Sequence, residues 1–190
     1  ESRVIAKLLE SWGIDALHAS SGVYGNHGQV SPLFVPHAWI VNLAEELKKI
    51  VHIPIITVSR INDPEMAEIF IETGKTDFVA MGRGSLADPD LPNKAKAGDL
   101  ESIRYCLGCM QSCTGALSGA IGSDGPIGCA INPTLGLEYK ADLSKSEEVR
   151  KIIVVGGGPA GMEAARGAAI RGHEVHLYEK NNYLGGQFKA

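Results

Sequence analysis

A strand followed by a helix repeats through the first hundred residues, and that alternation leaves few folds open to the chain. Residues 53–58, Ile-Pro-Ile-Ile-Thr-Val, are a β-branched run of the kind a parallel strand buried on both faces requires. Shorter apolar runs at 14–18 and 77–81 read as further strands. Between the first two, 38–51 carries Ile40, Leu43, Leu47 and Ile50 at helical spacing. Asp63 caps and Pro64 opens a helix expected over 65–73, which Gly74 stops. A helix over 2–12 precedes the first strand, and Asp88, Pro89 and Asp90 lead into one over 91–96. Strands joined through helices run parallel, so the expected class is α/β, either an open sheet or a barrel.

The periodicity fades after residue 100, and 101–145 holds all four cysteines of the chain. Cys106, Cys109, Cys113 and Cys129 read C-x2-C-x3-C-x15-C. Three thiolates in one short stretch and a fourth from a separate loop suit the corners of a cuboidal [4Fe-4S] cluster. A zinc ribbon pairs two C-x2-C knuckles instead; this spacing fits that poorly, and zinc stays the competing ligand. Disulfides or unrelated buried thiols are the remaining readings, and no secretion signal is visible to support the former. With 44% hydrophobic residues and a formal net charge of −4, the chain shows no basic footprint for nucleic acid or an anionic membrane. Its apolar runs are strand-sized, so no membrane span is expected and a cytoplasmic location is. The chain opens at Glu1 inside a helical pattern and stops at Ala190 shortly into a new unit, so we expect a fragment of a longer protein.

That new unit begins at Lys151. The strand 152–155 runs into Gly156-Gly-Gly-Pro-Ala-Gly161, a helix extends through Arg171, Gly172 ends it, and a second strand over 174–178 finishes at Glu179. G-x-G-x-x-G alone is a weak signal, but strand, glycine loop, helix and terminal acid together describe a dinucleotide site. Gly156 makes the tight turn, Gly158 lets the backbone approach a pyrophosphate, and Gly161 lets helix and strand pack closely. The helix N-terminus offers amide donors to the phosphates, and Glu179 would meet a ribose hydroxyl. Leu184-Gly185-Gly186-Gln187 resembles the second glycine segment of flavin-binding disulfide-reductase-like domains, favouring FAD or ADP and adding Gly186 and Gln187 to the site.

Two strand ends in the first half carry arginine, Val58-Ser59-Arg60 and Met81-Gly82-Arg83-Gly84. In a closed (β/α)8 barrel, phosphate sits on the loops after the last two strands. Backbone amides at Ser59, Gly82 and Arg83, with both guanidinium groups, would grip one. Taken with the stretch from Asp77 to Pro92, the cysteines, Asn132-Pro133 and the glycine loop, these residues resemble the iron–sulfur branch of the old yellow enzyme family. That branch includes 2,4-dienoyl-CoA reductase, 2-enoate reductase, NADH:flavin oxidoreductases and trimethylamine dehydrogenase.

The resemblance implies the C-terminal part of a TIM barrel holding FMN over 1–100. A [4Fe-4S] segment and linker would follow over 101–148, and the start of a Rossmann-like FAD (or ADP) domain over 149–190. It places Ser59, Arg60, Gly82 and Arg83 on the FMN phosphate, the four cysteines on the cluster, and His27 at the substrate. It further implies an NAD(P)H-dependent reductase of activated C=C bonds in small enoate, enoyl or enone substrates, electrons passing from FAD through the cluster to FMN. A homo-oligomer is compatible with it. The rivals are an amine dehydrogenase delivering electrons to an external flavoprotein, and a zinc-stabilised nucleotide-binding module. Two departures stand out: Ser59 occupies a position where relatives carry glycine, and a Gly/Ser/Asp-rich insertion at 119–125 lengthens the path to Cys129.

Overall fold

The computed structural model describes residues 1–21, 31–114 and 127–188. The chain divides into two compact units, Glu1–Leu137 and Glu138–Ala190. In the first, strands β1 (Leu17–Ala19), β2 (Ile55–Thr57) and β3 (Phe78–Val79) lie in that order and run parallel. Leu17 stands opposite Ile55, and Ile56 opposite Phe78. The central strand is the enclosed one, with Ile55 and Thr57 fully buried, as its β-branched run requires.

Helices α1 (Ser2–Ser11), α2 (Val41–Lys48) and α3 (Pro64–Glu72) alternate with these strands. Ala6, Ala19, Ala44, Val51 and Ile55 form one core cluster, on which Leu17, Leu47, Ile50 and Ile53 pack. Ala38, Val41, Ile61 and Ala67 form a second, covered by Met66, Phe70, Val79 and Met81. Asp63 caps α3 through the Glu65 amide at 2.9 Å. Gly74, at φ 70, ends it, with its own amide bonded to Ile71 and that of Lys75 to Phe70, the paired closure that a left-handed residue permits. Around Gly13 the same closure takes the Ile14 amide back to Leu9. That is why β1 starts at Leu17 and not at 14.

Past β3 the chain forms α4 (Gly82–Ala87) and α5 (Leu91–Ala97). The sequence gives no helical signal at 82–87, since two glycines in one short stretch disfavour helix. Burial of Gly84 and Ala87 overrides that preference. In the second unit β4 (Lys151–Val155) and β5 (Glu174–Tyr178) pair in parallel, and α6 (Pro159–Ile170) connects them. Val154 faces α6 at Gly161, while Ile153 and Val155 on the other face stay 61% and 84% exposed. Among the described residues no helix is long and apolar enough to cross a membrane.

Candidate functional site

Three strand ends in the first unit are tied together by one buried serine. Ser59, just beyond β2, takes φ 100, and Arg60 takes φ 50. The Ser59 hydroxyl lies 2.6 Å from that of Ser31, and its carbonyl accepts the Ala38 amide at 2.9 Å. Ser31 is 1% exposed; its hydroxyl also accepts from Trp39 Nε1 at 2.8 Å, and its carbonyl accepts from Arg83 Nη2 at 2.8 Å. The chain after β1, the end of β2 and the end of β3 therefore meet at Ser31. Nothing in the sequence marks this serine, because a lone hydroxyl in a polar loop belongs to no pattern.

The two arginines are used differently. Arg60 Nη1 donates to the carbonyls of Leu33, at 2.8 Å, and Val35. Its Nη2 lies 3.1 Å from His37 Nε2, and His37 Nδ1 lies 2.7 Å from the Arg60 carbonyl; a neutral His37 carrying its proton on Nδ1 satisfies both contacts. The Arg60 guanidinium thus braces the 33–37 segment. Arg83 retains a buried Nη1 without a hydrogen-bond partner among the described residues. Beside it Gly82 faces open space, where an added Cβ would meet nothing within 4 Å.

All four cysteines line one pocket, together with Arg83, Leu86, Leu107 and Ile131. They are free thiols, so no disulfide joins them. The Cys106–Cys109 turn is made by Gly108 at φ 69 and continues into Met110 at φ 57. The Gly108 amide lies 3.4 Å from Cys106 Sγ, and Asn62 Nδ2 donates to the Cys106 carbonyl at 2.7 Å. Gly108 sits so close to the β2-end loop that a Cβ would stand 3.2 Å from Arg60 Nε and 3.3 Å from Leu33 Cα.

Two buried polar residues fasten the cysteine segment to α4. Asp88, 3% exposed, follows that helix and accepts from the Arg104 amide at 2.9 Å, Lys94 Nζ at 2.6 Å and the Asp90 amide at 3.1 Å. Burial pushes its carboxyl up, but the hydrogen bonds from Lys94, Arg104 and Asp90 outweigh that and hold it below the usual carboxylate range. On the other side Asn132 donates to the Leu86 carbonyl at 2.8 Å and accepts from Thr134. Among the described residues no three His, Cys, Asp or Glu side chains converge on a point as the ligands of one metal ion do. The four thiols line a common cavity. Four soft sulfur donors at one pocket suit a thiolate-bound metal group, the iron–sulfur cluster or the zinc expected from their spacing.

The second unit brings its glycine motif and terminal acid together. Gly156 turns at φ 106, and a Cβ on Gly161 would lie 1.9 Å from the Gly156 carbonyl oxygen, so only glycine fits there. Gly158 precedes Pro159 at the start of α6 and faces open space, leaving room for a phosphate to reach the backbone. Glu179 accepts the Gly157 amide at 2.7 Å and both the amide and Nδ2 of Asn181 at 2.9 Å. The Asn181 and Gly157 amides hold its carboxyl below the ordinary value. The second glycine segment closes over the first: Gly185 donates to the Gly157 carbonyl at 2.8 Å, and Gly186 approaches Gly158. Gln187 follows in a short 3-10 turn. His27 and the insertion at 119–125 lie outside the described residues.

Comparison with known proteins gives two family matches. Residues 4–101 match the family described as NADH:flavin oxidoreductase / NADH oxidase, and residues 151–190 match FAD dependent oxidoreductase. A curated NADH oxidase of Thermoanaerobacter brockii is 46% identical over 100% of this chain, and cinnamate reductase of Clostridium sporogenes is 44% identical over 95%. The chain spans 29% and 27% of those two proteins. The solved structure of a 2-naphthoyl-CoA reductase bound to 2-naphthoyl-CoA aligns with a TM-score of 0.86 at 33% identity, covering 97% of this chain and 28% of that one.

Proposed function

We propose a function from one premise: the chain belongs to the NADH:flavin oxidoreductase / NADH oxidase family. In this reading it is part of an NAD(P)H-dependent flavin and iron–sulfur oxidoreductase that reduces an activated C=C bond of an enoate- or enoyl-type small molecule. Residues 1–100 are the C-terminal part of an FMN-binding TIM barrel, 101–148 the cluster segment, and 149–190 the start of a nucleotide-binding domain. The observation that carries this is the four-thiol pocket, which opens beside the strand-end loops and shares Arg83 with them. Relatives named for reduction of a cinnamate and of a naphthoyl thioester support an unsaturated acyl substrate.

When bound, the flavins supply hydride chemistry and the cluster supplies single-electron transfer between them. The chain's own residues hold these groups in place. Amides at Ser59, Arg60, Gly82 and Arg83 form a cradle for the FMN phosphate, and the open face of Gly82 leaves it accessible. Cys106, Cys109, Cys113 and Cys129 ligate the cluster. Gly156, Gly158 and Gly161 shape the turn that receives the pyrophosphate of FAD or ADP, with Gly186 and Gln187 closing over it. Glu179, ionised and already at the turn, exchanges its Gly157 contact for a ribose hydroxyl.

Anaerobic purification of the complete protein tests this directly. We expect about four irons and matching acid-labile sulfide per chain, bleaching by NADH or NADPH, and reoxidation by a cinnamate-type enoate. Stoichiometric zinc without sulfide would sink the cluster assignment. Reduction by a secondary amine but not by NAD(P)H would replace the reductase with an amine dehydrogenase.

A further inference from the structure

The segment after β2 serves two neighbours at once. Ser59 and Arg60, at φ 100 and φ 50, carry two of the amides assigned above to the flavin phosphate. Consecutive non-glycine residues with positive φ persist only where their surroundings over-determine them. Here the Ser59 hydroxyl lies 2.6 Å from that of Ser31, and the Ser59 carbonyl accepts from the Ala38 amide at 2.9 Å. Arg60 is tied through Leu33, Val35 and His37. Two residues further on, Asn62, 7% exposed, donates Nδ2 to the Cys106 carbonyl at 2.7 Å. Helix α4 packs on the same residue, since a Cβ on Gly84 would stand 3.7 Å from Asn62 Cα. The cysteine segment meets the loop a second time at Gly108, where a Cβ would lie 3.2 Å from Arg60 Nε.

Asn62 therefore touches both halves of the phosphate cradle, the β2-end loop to which it belongs and the helix that begins at Gly82. It also holds the backbone of one proposed cluster ligand. A displacement of the strained loop moves Asn62, and with it the Cys106 carbonyl. We propose that Asn62 is a positioning residue that couples the two cofactor sites of this unit: FMN phosphate on the β2-end loop and a cluster at Cys106 stabilise each other through the Asn62–Cys106 bond. The inference rests on the flavin and iron–sulfur reading above. Each group, once bound, fixes the shared segment in the geometry the other needs, so the second binds to a site already ordered. Linkage makes the effect reciprocal: the factor by which the cluster tightens FMN is the factor by which FMN tightens the cluster.

The test is a binding cycle on the complete protein, prepared anaerobically without FMN in two forms, one with its iron–sulfur group and one from which a chelator has removed it. FMN dissociation constants of the two forms are compared in wild type and in Asn62→Ala. The wild-type form that holds the cluster should bind FMN at least about fivefold more tightly. In Asn62→Ala that ratio should fall to near one. A residue that merely supports the fold would weaken FMN equally in both forms, and an unchanged ratio in the variant would overturn the inference. So would a wild-type ratio near one, a measurement that needs no variant. Asn62→Asp keeps the side-chain shape without its donor and should match Asn62→Ala, so the cycle stands if the alanine variant does not fold. Zinc in place of iron, or no FMN bound by either wild-type form, would overturn the underlying cofactor reading and the inference with it.

Discussion

Ser59 holds a backbone conformation, φ 100, that residues other than glycine adopt at a cost of about 1–3 kcal/mol. Its hydroxyl recovers part of that through the bond to Ser31, worth about 1 kcal/mol. The two effects separate by substitution. Ser59→Ala keeps the strain and loses the bond, so it should be about 1 kcal/mol less stable than wild type by denaturant unfolding. Ser59→Gly loses the bond and relieves the strain, and should stay within about 0.5 kcal/mol of wild type. Equal loss in both would mean that φ at this position carries no strain. At the other end of the chain, Glu179→Ala should weaken FAD or ADP roughly 10- to 100-fold, the scale of one charge-assisted hydrogen bond. FMN content should stay unchanged, and equal loss of both nucleotides would contradict the separate assignment of the two sites.

Elements in this chain are held by buried polar anchors as much as by apolar faces. Asp88 joins the end of α4, the Lys94 side chain of α5 and the Arg104 amide that starts the cysteine segment. Asp88→Ala leaves Lys94 and that amide unpaired, and should cost on the order of 3 kcal/mol. Its folded-state carboxyl titrates below the unfolded value of ~3.9. The stability it contributes is therefore complete above that unfolded value and is lost as pH falls through the lower folded value. The gap in unfolding free energy between wild type and Asp88→Asn should be constant near neutrality and close as pH drops below about 4. A gap that widens on acidification would show that Asp88 is not held ionised by its partners. In the second unit, Gly161→Ala drives a methyl into the Gly156 carbonyl and should cost about 1–3 kcal/mol while abolishing nucleotide binding.

At the scale of the whole molecule, the α/β alternation was legible because burial imposes a pattern on sequence. β-branched residues at 53–58 and the Ile-Leu stripe at 38–51 each report a buried face. β5 was read at its observed limits, and α3 was read from its cap, its proline and its closing glycine. The shared pocket of the four cysteines and the tight glycine turn were legible because each is a set of fixed residue types at fixed spacing. The bracing was not. Ser31 meets Ser59 and Arg83 across 28 and 52 residues, and Asn62 reaches Cys106 across 44. Such contacts leave no local period, and α4 was missed because packing overrode its glycines.

Cys109→Ser should remove iron and sulfide from the complete protein, as judged by metal analysis and loss of the broad visible absorption, and leave FAD content near wild type. Retained iron in that variant would remove Cys109 from the ligand set. The walls around these thiols have a further consequence, for the order in which the protein is put together. The Cys106 backbone is held by Asn62, the approach to it by Asp88, and Gly108 by the loop that Arg60 clamps. Each of these fastenings uses groups of the polypeptide alone. For the cluster proposed above, this predicts insertion as a late maturation step on a recipient whose described walls are already folded.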